Sequence, residues 1–185
     1  MKLFAVLSTL TVLVAVGGAQ APQTAKPATA KPAPPPTLNS PPVGNMAQVM
    51  RGVLFPNSNI LFDVQSNDPA TFGKKTEGGG ASSTFSGIYT GWQIVENAAI
   101  TLDEAARLLM VPGRKCENGR DVPVKNADWV KYTTELRAAS QKMLAAAKAK
   151  NKELASDTTN DVAGACENCH IVYRDKPGAG PRCIP

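Results

Sequence analysis

An all-α fold, an antiparallel four-helix bundle, is what this sequence predicts, and two observations carry the prediction. The composition favours helix over sheet: of 185 residues 43% are hydrophobic but only 5% aromatic, and alanine is abundant. That balance suits helices that pack closely and suits a strand-rich sandwich poorly. Beyond a proline-rich stretch, four segments repeat apolar residues at three-four spacing, the period of an amphipathic helix. Narrow stripes of this kind are satisfied when four helices share one core, and 185 residues suffice for one such domain but are short for two. The formal charge of +5, from 20 basic and 15 acidic residues, is too diffuse for the basic stripe that nucleic-acid phosphates require.

The chain opens on an address. Lys2 supplies a positive start, and the apolar run from Leu3 to Val16 is shorter than the roughly 20 residues a bilayer crossing needs. Residues 1–21 read as a signal peptide, cut after Ala19 or, in the A-x-A form of Ala19-Gln20-Ala21, after Ala21. Export to the periplasm or an equivalent compartment follows, with no membrane insertion once the signal is removed; an uncleaved anchor is the alternative. Residues 22–42 form a Pro/Ala-rich tether that holds eight of the fifteen prolines, so neither helix nor ladder can form there. An extended spacer of polyproline character is expected. The helical domain then spans 43–185.

In the first segment Met46, Met50, Val53, Ile60 and Val64 keep the spacing, but Pro56 removes a backbone donor, which predicts a kink or break near Phe55. The loop after it contains Gly78-Gly79-Gly80 without the lysine-serine or lysine-threonine pair of a phosphate loop, and it carries no chemistry. The second segment is the clearest, with Trp92, Val95, Ala99, Leu102, Ala106 and Leu109 on one face and Pro112-Gly113 as its stop. The third places Trp129, Tyr132, Leu136, Ala139, Met143 and Ala146 on one side, starting near Asn126. The fourth runs from about Asp157 to Asp175, with Val162, Cys166, Cys169 and Tyr173 together. A short connection between the third and fourth segments makes them antiparallel neighbours, and up-down-up-down order sets the start of the first helix beside the end of the fourth.

The chemistry lies in the fourth segment, in Cys166-Glu167-Asn168-Cys169-His170. A c-type haem needs two thiols that each add to a vinyl group and a histidine that reaches the iron from the same face, and this motif supplies all three. A redox disulfide needs no following histidine. A zinc site would demand that Cys116, Cys166, Cys169 and Cys183 converge from spacings unlike a finger or ribbon. One covalent haem c is therefore expected.

Over about residues 45–176 the chain resembles the class II c-type cytochromes, the family of cytochrome c-prime and its six-coordinate relatives. The resemblance rests on a haem motif near the C-terminus, on CENCHIVYR from Cys166 to Arg174, and on the tryptophan opening the third helix at Trp129. It implies a four-helix bundle with His170 as proximal ligand, and it allows a homodimer. The tether, Pro56, the glycine loop and the additional Cys116 and Cys183 depart from the family.

His170 is the only histidine, so the sixth position of the iron falls to methionine, to a weaker donor such as lysine, or stays open. Met50 stands about five residues after the start of the first helix and His170 about five before the end of the last. At about 1.5 Å per residue both lie roughly 7–8 Å from the same pole. The resemblance points the same way, since VMRGV around Met50 matches the family's distal region, and Met46 is the substitute one turn earlier. The family often carries an arginine at that earlier place to pair with a haem propionate. Here the role falls to Arg51 or is absent, and Arg174 is a second contact in the haem environment. Histidine and methionine together make an electron carrier that serves an unidentified redox partner protein. A five-coordinate iron would instead bind nitric oxide or carbon monoxide. An enzyme has little support without an acid-base pair.

Two features remain. Cys116 follows the second helix and Cys183 the fourth; these helices run in the same direction, so both thiols fall at one pole, where an exported chain would join them as a disulfide. An intermolecular bridge and a pair of free thiols are the alternatives. Lys142, Lys148, Lys150 and Lys152 form either a solvated face or a steering patch for an acidic partner.

Overall fold

The computed structural model describes residues 41–73, 89–178 and 180–185. Internal contacts divide the chain into Met1–Thr37 and Leu38–Pro185, and every described residue belongs to the second unit. The stretch 1–21 read as a signal peptide, the expected tether as far as residue 40 and the glycine run at 78–80 thus lie outside the described residues.

Among the described residues the fold is helical, without a β-strand. The first helical stretch comprises α1 (Met46–Val49), a π-helical turn (Met50–Leu54) and α2 (Phe55–Phe62), followed by a 3-10 turn over Asp63–Gln65. Asn45 starts it with a reciprocal cap: the Gln48 N–H donates to its side chain while its own N–H donates to the Gln48 side chain. Of the kink or break expected near Phe55, no break occurs; a π-helical turn lies there instead. The irregularity is absorbed just before it, where the Phe55 N–H reaches back five residues to the Met50 carbonyl. That wider turn eases the proline ring past the preceding carbonyls, and Pro56 itself falls at the first turn of α2, where the ring is best tolerated.

Helix α3 (Trp92–Ala106) tightens into a 3-10 turn over Arg107–Met110 before Pro112-Gly113 ends it. Helix α4 (Ala127–Lys148) follows Asn126 as expected, but the Asn126 side chain does not cap it; Asp128 Oδ1 accepts the Trp129 N–H instead. Helix α5 (Lys152–Tyr173) begins five residues before the expected Asp157. The Asn151 side chain accepts the Leu154 N–H and Glu153 sits in the positive first turn, so the cap moves the start forward.

Cross-helix pairs set the directions. Trp129 donates to the Leu109 carbonyl and Arg137 to Asp103, while Tyr173 meets Asp128 and Lys142 meets Asp161. In each set residue numbers rise along one helix as they fall along the other, so α3, α4 and α5 are antiparallel in turn. Met46, at the head of the first stretch, donates to the Lys115 carbonyl beyond α3, and Gln65 at its tail reaches Thr159 near the start of α5. The four helical stretches thus run up-down-up-down around one core that includes Leu61, Val95, Leu102, Leu136, Met143 and Val162. Met143 is fully enclosed, and truncating such a residue to alanine costs about 2–5 kcal/mol. Buried hydroxyls cause no deficit, because Thr133, Ser140 and Thr158 each donate to the carbonyl four residues earlier.

The α3–α4 connection contains a tight hairpin that the sequence did not reveal. The Cys116 N–H donates to the Arg120 carbonyl at 2.8 Å and the Val122 N–H to the Arg114 carbonyl at 2.9 Å. Gly119 makes the reversal at φ 81, a region open to glycine without a Cβ penalty. Arg114 anchors the hairpin from within. Its Nε donates to the Leu108 carbonyl and its Nη1 to the Gly44 carbonyl, tying the approach to α1 to the end of α3. Burial lowers its pKa.

Candidate functional site

The last turns of α5 carry Cys166, Cys169 and His170, and spacings of three and four put them on one flank with Tyr173 a turn further on. All four line a cavity of about 730 Å³, a volume within the roughly 300–1,000 Å³ of small-molecule and cofactor sites. The facing wall comes from the first helical stretch, with Met46, Met50 and Leu54, and from Trp129, Tyr132 and Leu136 on α4. Met50 and His170, which sequence spacing sets at equal depth, therefore open on the same space. Met46 does so too, and it is the more deeply buried of the two methionines.

The donor chemistry fits a c-type haem. Cys166 and Cys169 are free, half-buried thiols rather than partners in a bridge. Burial pushes Cys166 up, with Arg174 pulling the other way; burial, then Cys166 and Asp128, push Cys169 up to about 12. Both thiols are protonated near neutral pH and reach their full nucleophilicity only on deprotonation. Burial and then Arg174 lower the His170 pKa, against an opposing pull from Asp175, and keep its imidazole neutral, the form that binds iron. The ring makes no hydrogen bond to another described residue. Nor does any group of three or more His, Cys, Asp or Glu side chains among the described residues form a metal-binding cluster, so the four-cysteine zinc alternative is not assembled.

An aromatic corner fixes the height of α5. The Tyr173 hydroxyl donates to Asp128 Oδ1 at 2.7 Å, and its ring meets Trp129 edge-on at 4.9 Å between centroids and Tyr132 at 6.5 Å. Trp129 Nε1 in turn donates to the Leu109 carbonyl at 3.2 Å. Burial pushes the Tyr173 pKa up to about 12, so the phenol remains a donor. Since Tyr173 lies three residues beyond His170, this corner sets where the imidazole stands. The sequence marked Trp129 and Tyr173 as apolar stripe residues; the polar half of the corner, Asp128, went unnoticed because it lies off that stripe.

The rim is charged. Arg51 and Arg174, expected near the carboxylates of a haem, both line the cavity, each beside an acid. Arg51 Nη2 donates to Glu117 Oε1 at 3.0 Å, and Arg174 Nε to Asp175 Oδ1 at 2.6 Å. Cys116 and Cys183 stand at disulfide distance, with Cα atoms 6.4 Å apart, and both sulfur-bearing residues border the cavity. Their neighbours Glu117 and Arg182 pair at 2.6 Å, so the C-terminal tail is strapped to the hairpin by a bridge and an ion pair side by side. Opposite charges next to each cysteine were the available sign of this strap. The lysines after residue 147 lie elsewhere: Lys148, Lys150 and Lys152 surround the α4–α5 turn. At 1.5 Å per residue they are about 27 Å along the bundle from His170.

No family model, curated protein or solved structure matches the chain. No helix among the described residues is long and apolar enough to cross a membrane.

Proposed function

We propose that this protein is an exported monohaem c-type cytochrome, of the class II four-helix kind, that carries single electrons to or from a partner protein. One observation carries the reading: two free thiols, the sole histidine and a methionine from a different helix open on one cavity of cofactor size. In this reading Cys166 and Cys169 hold the haem through thioether bonds, His170 is the proximal ligand and Met50 the distal one, with Met46 as the alternative. When bound, a haem so ligated supplies one-electron chemistry, at a potential raised by the thioether ligand.

The chain's own residues do the rest. Leu54, Trp129 and Leu136 give the cavity apolar wall surface, and the Tyr173–Asp128 hydrogen bond holds the end of α5 that carries the imidazole. We assign no catalytic residue. Absorption spectra of the purified ferric and ferrous protein test the proposal. It predicts a six-coordinate low-spin haem that binds carbon monoxide slowly. A five-coordinate spectrum with fast binding favours the gas-binding reading, and absence of haem absorption refutes both.

A further inference from the structure

Among the charged side chains that line the cavity, Arg174 and Asp175 form one pair and Arg51, Glu117 and Arg182 a second group, and only the second holds an enclosed donor without a partner among the described residues. Arg174 is paired to its chain neighbour Asp175. Glu117 is divided between two arginines, with Oε1 accepting from Arg51 Nη2 at 3.0 Å and Oε2 from Arg182 Nη1 at 2.6 Å. Arg182 is the less exposed of these two arginines, and its Nε is enclosed without a hydrogen-bond partner among the described residues. A guanidinium binds a carboxylate best through two parallel N–H groups, and an enclosed donor with no acceptor is costly.

Arg182 is also held firmly for a residue so near the C-terminus. The Cys183 N–H donates to the Tyr173 carbonyl at 2.9 Å, the Asn118 side chain donates to the Gly180 and Arg182 carbonyls, and the neighbouring Cys183 stands at disulfide distance from Cys116. The tail therefore delivers a guanidinium to the pole of the cavity where Met50 and His170 lie.

We propose that Arg182, with Arg51, forms a carboxylate-binding rim for the cofactor, and that Glu117 is the counter-ion that sets the two guanidiniums side by side. The ligand chemistry is the pair of free carboxylates a haem bears, so the inference rests on the haem reading above. Arg182 is a binding residue toward that group; Glu117 is a positioning residue.

The test uses the mature holoprotein and three variants, Arg182→Gln, Arg182→Lys and Glu117→Gln, read by resonance Raman at the propionate bending modes and by reduction potential. Arg182→Gln should shift a propionate band and lower the potential, because a cation beside the carboxylate is lost. Arg182→Lys should keep the potential near wild type while the band recovers only in part, since charge is retained and the fork is not. Glu117→Gln removes the counter-ion that positions Arg182 but keeps both cations, so its band should shift less than that of Arg182→Gln and its potential should rise rather than fall. If Arg182→Gln retains haem with an unchanged propionate band, or if both neutralising variants move the band alike as a brace would, the carboxylate rim is wrong while the haem reading stands. If wild type carries no haem, both fail.

Discussion

Removing the strap across the cavity pole, by Cys116→Ser together with Cys183→Ser, has a cost that follows from its place in the chain. The two cysteines are separated by 67 residues. Closing a loop of that length removes about 4.4 kcal/mol of conformational freedom from the unfolded chain at 25 °C on the entropy model. Part of this is offset, because Cys183 sits at φ 63, a left-handed conformation that costs a non-glycine residue about 1–2 kcal/mol and can relax once the bridge is gone. The net loss should be about 3 kcal/mol, or roughly 6–12 °C in melting temperature for a domain of this size. Urea unfolding of wild type and double variant, followed by far-ultraviolet circular dichroism, measures it. A difference within about 0.5 kcal/mol would refute the reasoning. So would alkylation of Cys116 and Cys183 in denatured, unreduced wild type, since the thiols would then be free.

Two more outcomes follow from the site. Met50→Ala should open the distal position and speed carbon monoxide binding to the ferrous protein by at least tenfold. If Met46→Ala does this instead, the ligand is Met46, and if neither does, methionine ligation is wrong. For Glu117, hydrogen bonding and charge from Arg51, with charge and a further hydrogen bond from Arg182, hold the carboxyl below its ordinary range. A carboxylate depressed in the folded state stabilises above its unfolded pKa and loses that contribution as pH falls through the folded value. Wild type should therefore be more stable than Glu117→Gln near neutral pH and converge with it in acid; a gap independent of pH contradicts the pairing.

Much of the architecture was legible because helix periodicity reports burial directly. Val95, Ala99, Leu102 and Ala106 on α3, and Leu136, Met143 and Ala146 on α4, are buried as their spacing implies. Errors gathered where backbone chemistry outweighs side-chain pattern. Pro56 suggested a kink or break, and a single wider turn at Met50–Leu54 accommodates it without a break, a change of hydrogen-bond register that no periodicity argument anticipates. The start of α5 was placed five residues late because Lys152, Glu153 and Ser156 are polar, whereas the cap at Asn151 decides where that helix begins. At the site, Cys166, Cys169, His170 and Met50 were singled out by residue type and spacing, Met50 also by the resemblance, and one cavity gathers them. Glu117, Arg182 and Asp128 were not, because their roles come from partners 65 and 45 residues away in sequence. The hairpin carrying Cys116 and Glu117 was equally hidden, being set by Gly119 and by the buried Arg114 rather than by any apolar rhythm.

The central claim is that Cys166 and Cys169 carry a haem, and intact-mass analysis of the mature protein tests it most directly. The account predicts a polypeptide heavier by one haem, with the added mass on the peptide that contains Cys166 and Cys169 and surviving acid-acetone extraction. It further predicts that Cys166→Ala with Cys169→Ala abolishes the covalent addition. An unmodified mass in a host competent for cytochrome c maturation, with both thiols free to alkylation, would contradict it.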